Sequence, residues 1–134
     1  MIGWDEIEKD IRTFGLDRIK LIEPLNIPYR KSDFNPKEYF KNTIGIIAPQ
    51  SKPPKIKIEC TKQQAQYLLT QPIHSSQTVQ KETKDKVVFT FEVHPTYEFV
   101  SVLLGLREKV KVLSPAWVRQ GMKELLGQMI KLYD

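Results

Sequence analysis

The sequence predicts an α+β fold, a β-α-β-β-α-β module followed by one further helix. Three observations predict it. Val87, Phe89, Phe91 and Val93 share one face of the clearest strand pattern in the chain. Ile56, Ile58 and Cys60 alternate with Lys57 and Glu59, a second strand with one wet face. Val118, Met122, Leu125, Leu126, Met129 and Tyr133 recur at helical spacing, a continuous apolar stripe at the C-terminal end.

The elements follow in order. Phe14, Leu16, Arg18 and Lys20 fall on one face of an expected strand, with Asp17, Ile19, Leu21 and Glu23 on the other, before Pro24 stops it. Pro24, Asn26, Pro28, Ser32 and Asp33 make a turn-rich connector, and Asn35-Pro36 opens a short helix to Lys41. Gly45, Pro49, Pro53 and Pro54 forbid a regular element over 45–55, where a domain boundary is expected. The strand at 56–60 leads through a Thr61 cap, with Gln64 at the reciprocal position, into a helix with Ala65, Leu68 and Leu69 on its apolar side. Thr78–Thr83 and Val87–Val93 form a hairpin around Lys84-Asp85-Lys86, its mostly polar first strand at a sheet edge. Pro95 opens a helix buried through Phe99, Val100, Leu103 and Leu104, and Gly105 stops it. Lys109–Leu113 is the fourth strand, and Ser114-Pro115 caps a last helix running to about Lys131.

Two right-handed crossovers around a hairpin give an antiparallel sheet in the order fourth, first, third, second strand. This is the ferredoxin-like arrangement. It places Ile58, Cys60, Phe89, Phe91, Val110 and Val112 on the helix-facing side, against Leu68, Leu103 and Leu104. Residues 1–23 are read as an end fragment of another domain, 24–54 as a linker with a short helix, and 55–134 as the ferredoxin-like domain. The final helix either covers its own sheet or pairs with a second copy.

Composition narrows the function classes. A 134-residue chain with 40% apolar residues has enough for one core. It holds no apolar run long enough to cross a membrane, and no signal pattern, so a cytoplasmic protein is expected. One cysteine excludes an internal disulfide framework. The net charge of +5 permits contact with nucleic acid or anionic ligands without establishing it.

No set of residues supports catalysis. His74 and His94 lack companions at metal-ligand spacing, and Cys60 reads as a buried inert thiol. Glu92 and Glu98 are explained by exposed positions. No glycine-rich phosphate loop or zinc-finger spacing is present, so no enzyme, metal or cofactor is expected. Lys52, Lys55, Lys57, Arg107, Lys109 and Lys111 offer a basic surface that a nucleic-acid backbone would suit. Arg12 and Arg18 could present two guanidinium forks on one strand face to phosphate or carboxylate, or each could pair with a nearby acid such as Asp10 or Asp17.

The run Ile11-Arg-Thr-Phe-Gly-Leu-Asp-Arg-Ile19 resembles the closing strand of a WYL domain, an Sm-like β-barrel of bacterial transcription regulators. Residues 56–134, with Gly105 and Val110-Lys-Val-Leu-Ser-Pro115, resemble the WCX extension that follows that barrel. The Trp-Tyr-Leu signature and the earlier barrel strands are absent. The resemblance implies an effector-sensing and oligomerisation region with a nucleotide or single-stranded nucleic-acid effector. It implies a homodimer, and a DNA-reading helix-turn-helix upstream of Met1. Arg12 and Arg18 match the motif's arginines; Arg107, Lys109 and Lys111 are candidates for a basic edge.

Overall fold

The computed structural model describes residues 1–28 and 33–133; Ser32, one of the expected connector's turn residues, lies outside them. The chain forms two compact units, Met1–Pro36 and Lys37–Asp134.

The first unit is a hairpin. Strands β1 (Ile2–Asp5) and β2 (Asp10–Thr13) pair antiparallel, Ile2 opposite Thr13 and Asp5 opposite Asp10. Phe14 extends the ladder: its N–H donates to the Met1 carbonyl at 2.7 Å and its carbonyl accepts from the Met1 ammonium at 2.9 Å. Asp5 builds the turn, its Oδ1 accepting from the N–H groups of Ile7 and Glu8. The strand expected from Phe14 to Glu23 does not form. A single 3-10 turn occupies Leu16–Arg18, and residues 19–28 hold neither helix nor strand. Alternation alone is insufficient there, because a strand exists only where a neighbour takes its N–H and C=O groups. None of this unit's described residues is buried.

In the second unit, α1 (Pro36–Tyr39) is one turn of helix, and Tyr39 and Phe40 meet edge-to-face at 5.0 Å. Four strands follow: β3 (Lys55–Thr61), β4 (Thr78–Glu82), β5 (Lys86–Glu92) and β6 (Val110–Ser114). They form one antiparallel sheet in the order β4-β5-β3-β6. Helices α2 (Lys62–Thr70), α3 (Tyr97–Gly105) and α4 (Ala116–Ile130) complete the β-α-β-β-α-β-α chain order. The sheet order is the one expected from the pattern of crossovers.

Register explains the core. Ile56 lies opposite Phe91, Ile58 opposite Phe89 and Cys60 opposite Val87. All six are at most 1% exposed. Val112 of β6 joins them beside Ile58, and Ala65, Leu68, Phe99, Leu103 and Val118 seal that face from the helices. Phe91 and Phe99 meet edge-to-face at 6.0 Å. Val110 and Leu104, expected in this layer, are half-buried, and Leu69 is exposed. The edge position of β4 is as expected: every one of its residues is exposed.

Several boundaries differ from the sequence reading. Thr61 does cap α2, its Oγ1 accepting from Gln64 N–H at 3.2 Å. The cap of α3 is Thr96, not the region of Pro95, and it accepts from Phe99 N–H. Gly105 is the last residue of α3 and keeps an ordinary φ; the reversal comes at Arg107, whose φ is +58°. Ser114 contributes no side-chain cap to α4. The hairpin turn needs no Asp-Gly pair, because the Thr83 hydroxyl accepts from Lys86 N–H while Thr83 N–H donates to the Lys86 carbonyl. Of the stripe on α4, Val118 is buried, Met122 and Leu125 are half-buried, and Leu126 and Met129 are exposed.

Phe89 has no exposed surface and sits on a central strand. Phe89→Ala should cost about 3–5 kcal/mol by removing a ring that its neighbours cannot replace. A urea melt checks this, and a loss below about 1 kcal/mol in a folded variant would place the ring outside the core.

Candidate functional site

The sequence-derived cations divide between the two units. Arg12 lies on β2 with its Nη1 3.3 Å from Asp5 Oδ2 and 3.9 Å from Glu8 Oε1. Of the alternatives open in the sequence, it takes the ion pair. The backbone N–H groups of Glu8 and Ile7, with Arg12 adding to them, hold the Asp5 carboxyl below its usual range. Arg18 lies in the 3-10 turn, 87% exposed, its Nε 3.9 Å from Asp17 Oδ2. The two arginines therefore do not share a strand face, because β2 ends at Thr13 and Arg18 lies in the 3-10 turn Leu16–Arg18.

Arg107, Lys109 and Lys111 lie where α3 hands the chain to β6. A 3-10 turn over Arg107–Lys109 joins the two, and all three side chains are exposed. Arg107 and Lys111 line a groove of about 530 Å³ between α3, β6 and α4. Lys109 is not part of it. Two further cations, Arg119 and Lys123, line it from α4. Nothing in the sequence reading singled them out. The available signal was their i,i+4 spacing beside Met122, Leu126 and Ile130, which places cations and apolar groups on one side of one helix.

A second groove, about 240 Å³, lies on the other side of α4 and is lined by Pro95, Val100, Trp117, Val118, Gly121, Met122 and Leu125. No charged residue lines it. Met122 belongs to both grooves.

The histidines are structural anchors. His94 is buried; its backbone N–H donates to the Asn42 carbonyl at 2.9 Å and its Nε2 lies 3.0 Å from the Ser51 carbonyl. Thr96 Oγ1 donates to the Ile44 carbonyl, and Glu98 Oε1 accepts from Ile46 N–H at 3.2 Å. Residues 94, 96 and 98 thus take hold of residues 42, 44 and 46 in step. Gly45, at φ +87°, is required inside this lock, since a Cβ there would run into the Glu98 side chain. His74 Nδ1 lies 2.8 Å from Ser76 Oγ and accepts from Ser76 N–H. The Ser76 hydroxyl also accepts from the Glu92 N–H at 3.0 Å, which fastens this loop to the end of β5. Burial lowers the pKa of His74, and burial with the adjacent Glu59 raises that of the Cys60 thiol.

Residues 52–130 match the WCX domain family. The chain belongs to that family. No curated protein matches the chain. The WCX match takes in the sheet, all three helices packed on it and both grooves. WCX is a regulator-associated domain, which accords with a regulatory role. Among the described residues no helix is long and apolar enough to cross a membrane.

The lock on the WCX domain's lead-in is pH-sensitive with a definite sign. Backbone N–H groups, its own first and then that of Ile46, hold the Glu98 carboxyl below its ordinary value. A depressed carboxyl stabilises the fold above the unfolded-state value, and that contribution is lost as pH falls through the folded-state value. Urea midpoints of the native chain should therefore fall more between neutral pH and about pH 3 than those of Glu98→Gln. Parallel curves would mean that the carboxylate does not hold the loop.

Proposed function

We propose that this chain is the non-enzymatic effector-sensing and oligomerisation region of a bacterial WYL-type transcription regulator. The observation that carries the reading is WCX membership over residues 52–130. The arginine motif at Ile11–Ile19 supports it, since it resembles the closing part of a WYL domain. In this reading the hairpin of the first unit is the end of an Sm-like barrel. The barrel's own strands and a winged helix-turn-helix then stand before Met1 in the parent protein. The effector is a nucleotide or a single nucleic-acid strand held by the barrel's arginines, and the regulator works in the cytoplasm.

Self-association belongs to the same reading. The charge-free groove beside Trp117 supports a two-fold homodimer, because interface centres are poor in charge and rich in aromatic anchors. Trp117 is 60% exposed and is the largest side chain at that groove.

Two measurements test the reading. The coding sequence ahead of Met1 should specify a winged helix-turn-helix and barrel strands; an open reading frame without them would overturn the regulator assignment. Sedimentation velocity should show a dimer of the native chain at about 100 μM and a monomer for Trp117→Glu. A native monomer at that concentration overturns the dimer.

A further inference from the structure

We propose that the groove between α3, β6 and α4 binds an aliphatic carboxylate, a single-chain amphiphile free in solution. Its chain would lie along Leu126 and Ile130 and its head group would meet Arg119 and Lys123. The proposal does not depend on the chain belonging to a transcription regulator.

The lining has an unusual chemistry. Its apolar part is Leu103, Val110, Val112, Met122, Leu126 and Ile130, with Leu104 and Gly127 completing it. Every other lining residue is a cation, and none is an acid. Among the described residues, no acid lies within ion-pairing distance of Arg107, Lys111, Arg119 or Lys123. The nearest acid in sequence on the helix, Glu124, has its Oε1 taken up by Gln120 Nε2 at 2.8 Å. On α4 the two cations flank Met122, and the remaining apolar lining follows them. Arg119 and Lys123 stand one turn apart in the first half, and Leu126 and Ile130 follow in the second. Ile130 is 63% exposed and Leu126 is 45% exposed, so among the described residues the apolar end is only partly covered.

That pattern selects among occupants. A neutral apolar ligand would leave four cations beside a dehydrated surface without a counter-charge. A nucleotide would need acceptors or donors for its sugar and base, or an aromatic ring to stack on. The lining has no aromatic residue and no neutral polar side chain. A second copy, docked two-fold on the same face, would bring its own four cations against these. The groove's size, about 530 Å³, is that of a small-ligand site, where a mostly apolar lining with a few placed charges is the general form. A carboxylate with an aliphatic chain is the simplest ligand with one anionic end and one apolar end, and guanidinium forks suit its head.

Gly127 supplies a clean test. A Cβ built there meets nothing within 4 Å, so a leucine fits the helix while filling the groove. It also replaces a poor helix former with a good one.

The experiment is isothermal titration of the 134-residue chain with decanoate below its self-association concentration, and with decan-1-ol. Decanoate should bind about tenfold tighter than the alcohol, and the gap should shrink with added salt. Gly127→Leu should abolish binding of both. Arg119→Glu with Lys123→Glu should weaken decanoate by about tenfold or more and leave the alcohol nearly unchanged. Should the double variant fail to fold, Arg119→Gln with Lys123→Gln carries the same comparison with a severalfold effect. Equal binding of acid and alcohol overturns the proposal, as does decanoate binding that survives Gly127→Leu. It is likewise overturned if no decanoate binds, if only anionic vesicles bind, if only an acidic amphipathic peptide binds, or if Gly127→Leu abolishes self-association instead.

Discussion

The pairing of β3 with β5 is the constraint on which the rest of the second unit depends. Its register sets Ile56, Ile58 and Cys60 against Phe91, Phe89 and Val87 on one face. A slip by one residue would turn that whole set outward and bring Lys57, Glu59 and Val88 inward. Everything else is arranged around this pair. The edge strands β4 and β6 extend it on either side, and the helices cover the face it presents. The groove at α3, β6 and α4 exists because α4 joins that cover through its first turns, at Val118, and then leaves it.

The central sheet was legible because its signal is local. Alternation over Val87–Val93 and Ile56–Cys60 marks two strands, and crossover handedness then leaves one plausible order. The cap at Thr61 was legible for the same reason. Thr96 is legible on the same ground, because a threonine hydroxyl can accept a helix N–H and the side chain of Pro95 cannot. The hairpin of the first unit was missed because each strand is four residues long. At that length β1 shows no period, whereas the alternation from Phe14 to Glu23 is longer and forms no strand.

Long-range contacts were out of reach. Residues 42–51 carry Gly45 and Pro49, which correctly indicate irregular backbone. Composition does not tell whether irregular backbone hangs free or is fastened. Here His94, Thr96 and Glu98 fasten it from roughly fifty positions downstream, and the compact unit accordingly begins at Lys37. The groove illustrates the same limit. Arg107 and Lys111 could be named from a basic stretch, but Arg119 and Lys123 join them only because α4 folds back beside β6.

The two free edges of the sheet have a consequence for how copies of this domain could ever stack. The β4 edge carries a register shift between Val79 and Lys81, with charged Lys81 and Glu82 at its end, and the Lys62–Glu82 ion pair ties it to α2. The opposite edge strand, β6, meets β3 across another shift, between Lys57 and Ile58. Irregular, charged borders of this kind are poor templates for adding a strand from another molecule. The domain is thus built against open-ended polymerisation through its backbone. Contacts between copies of the domain are thereby left to side chains, which a single substitution can alter.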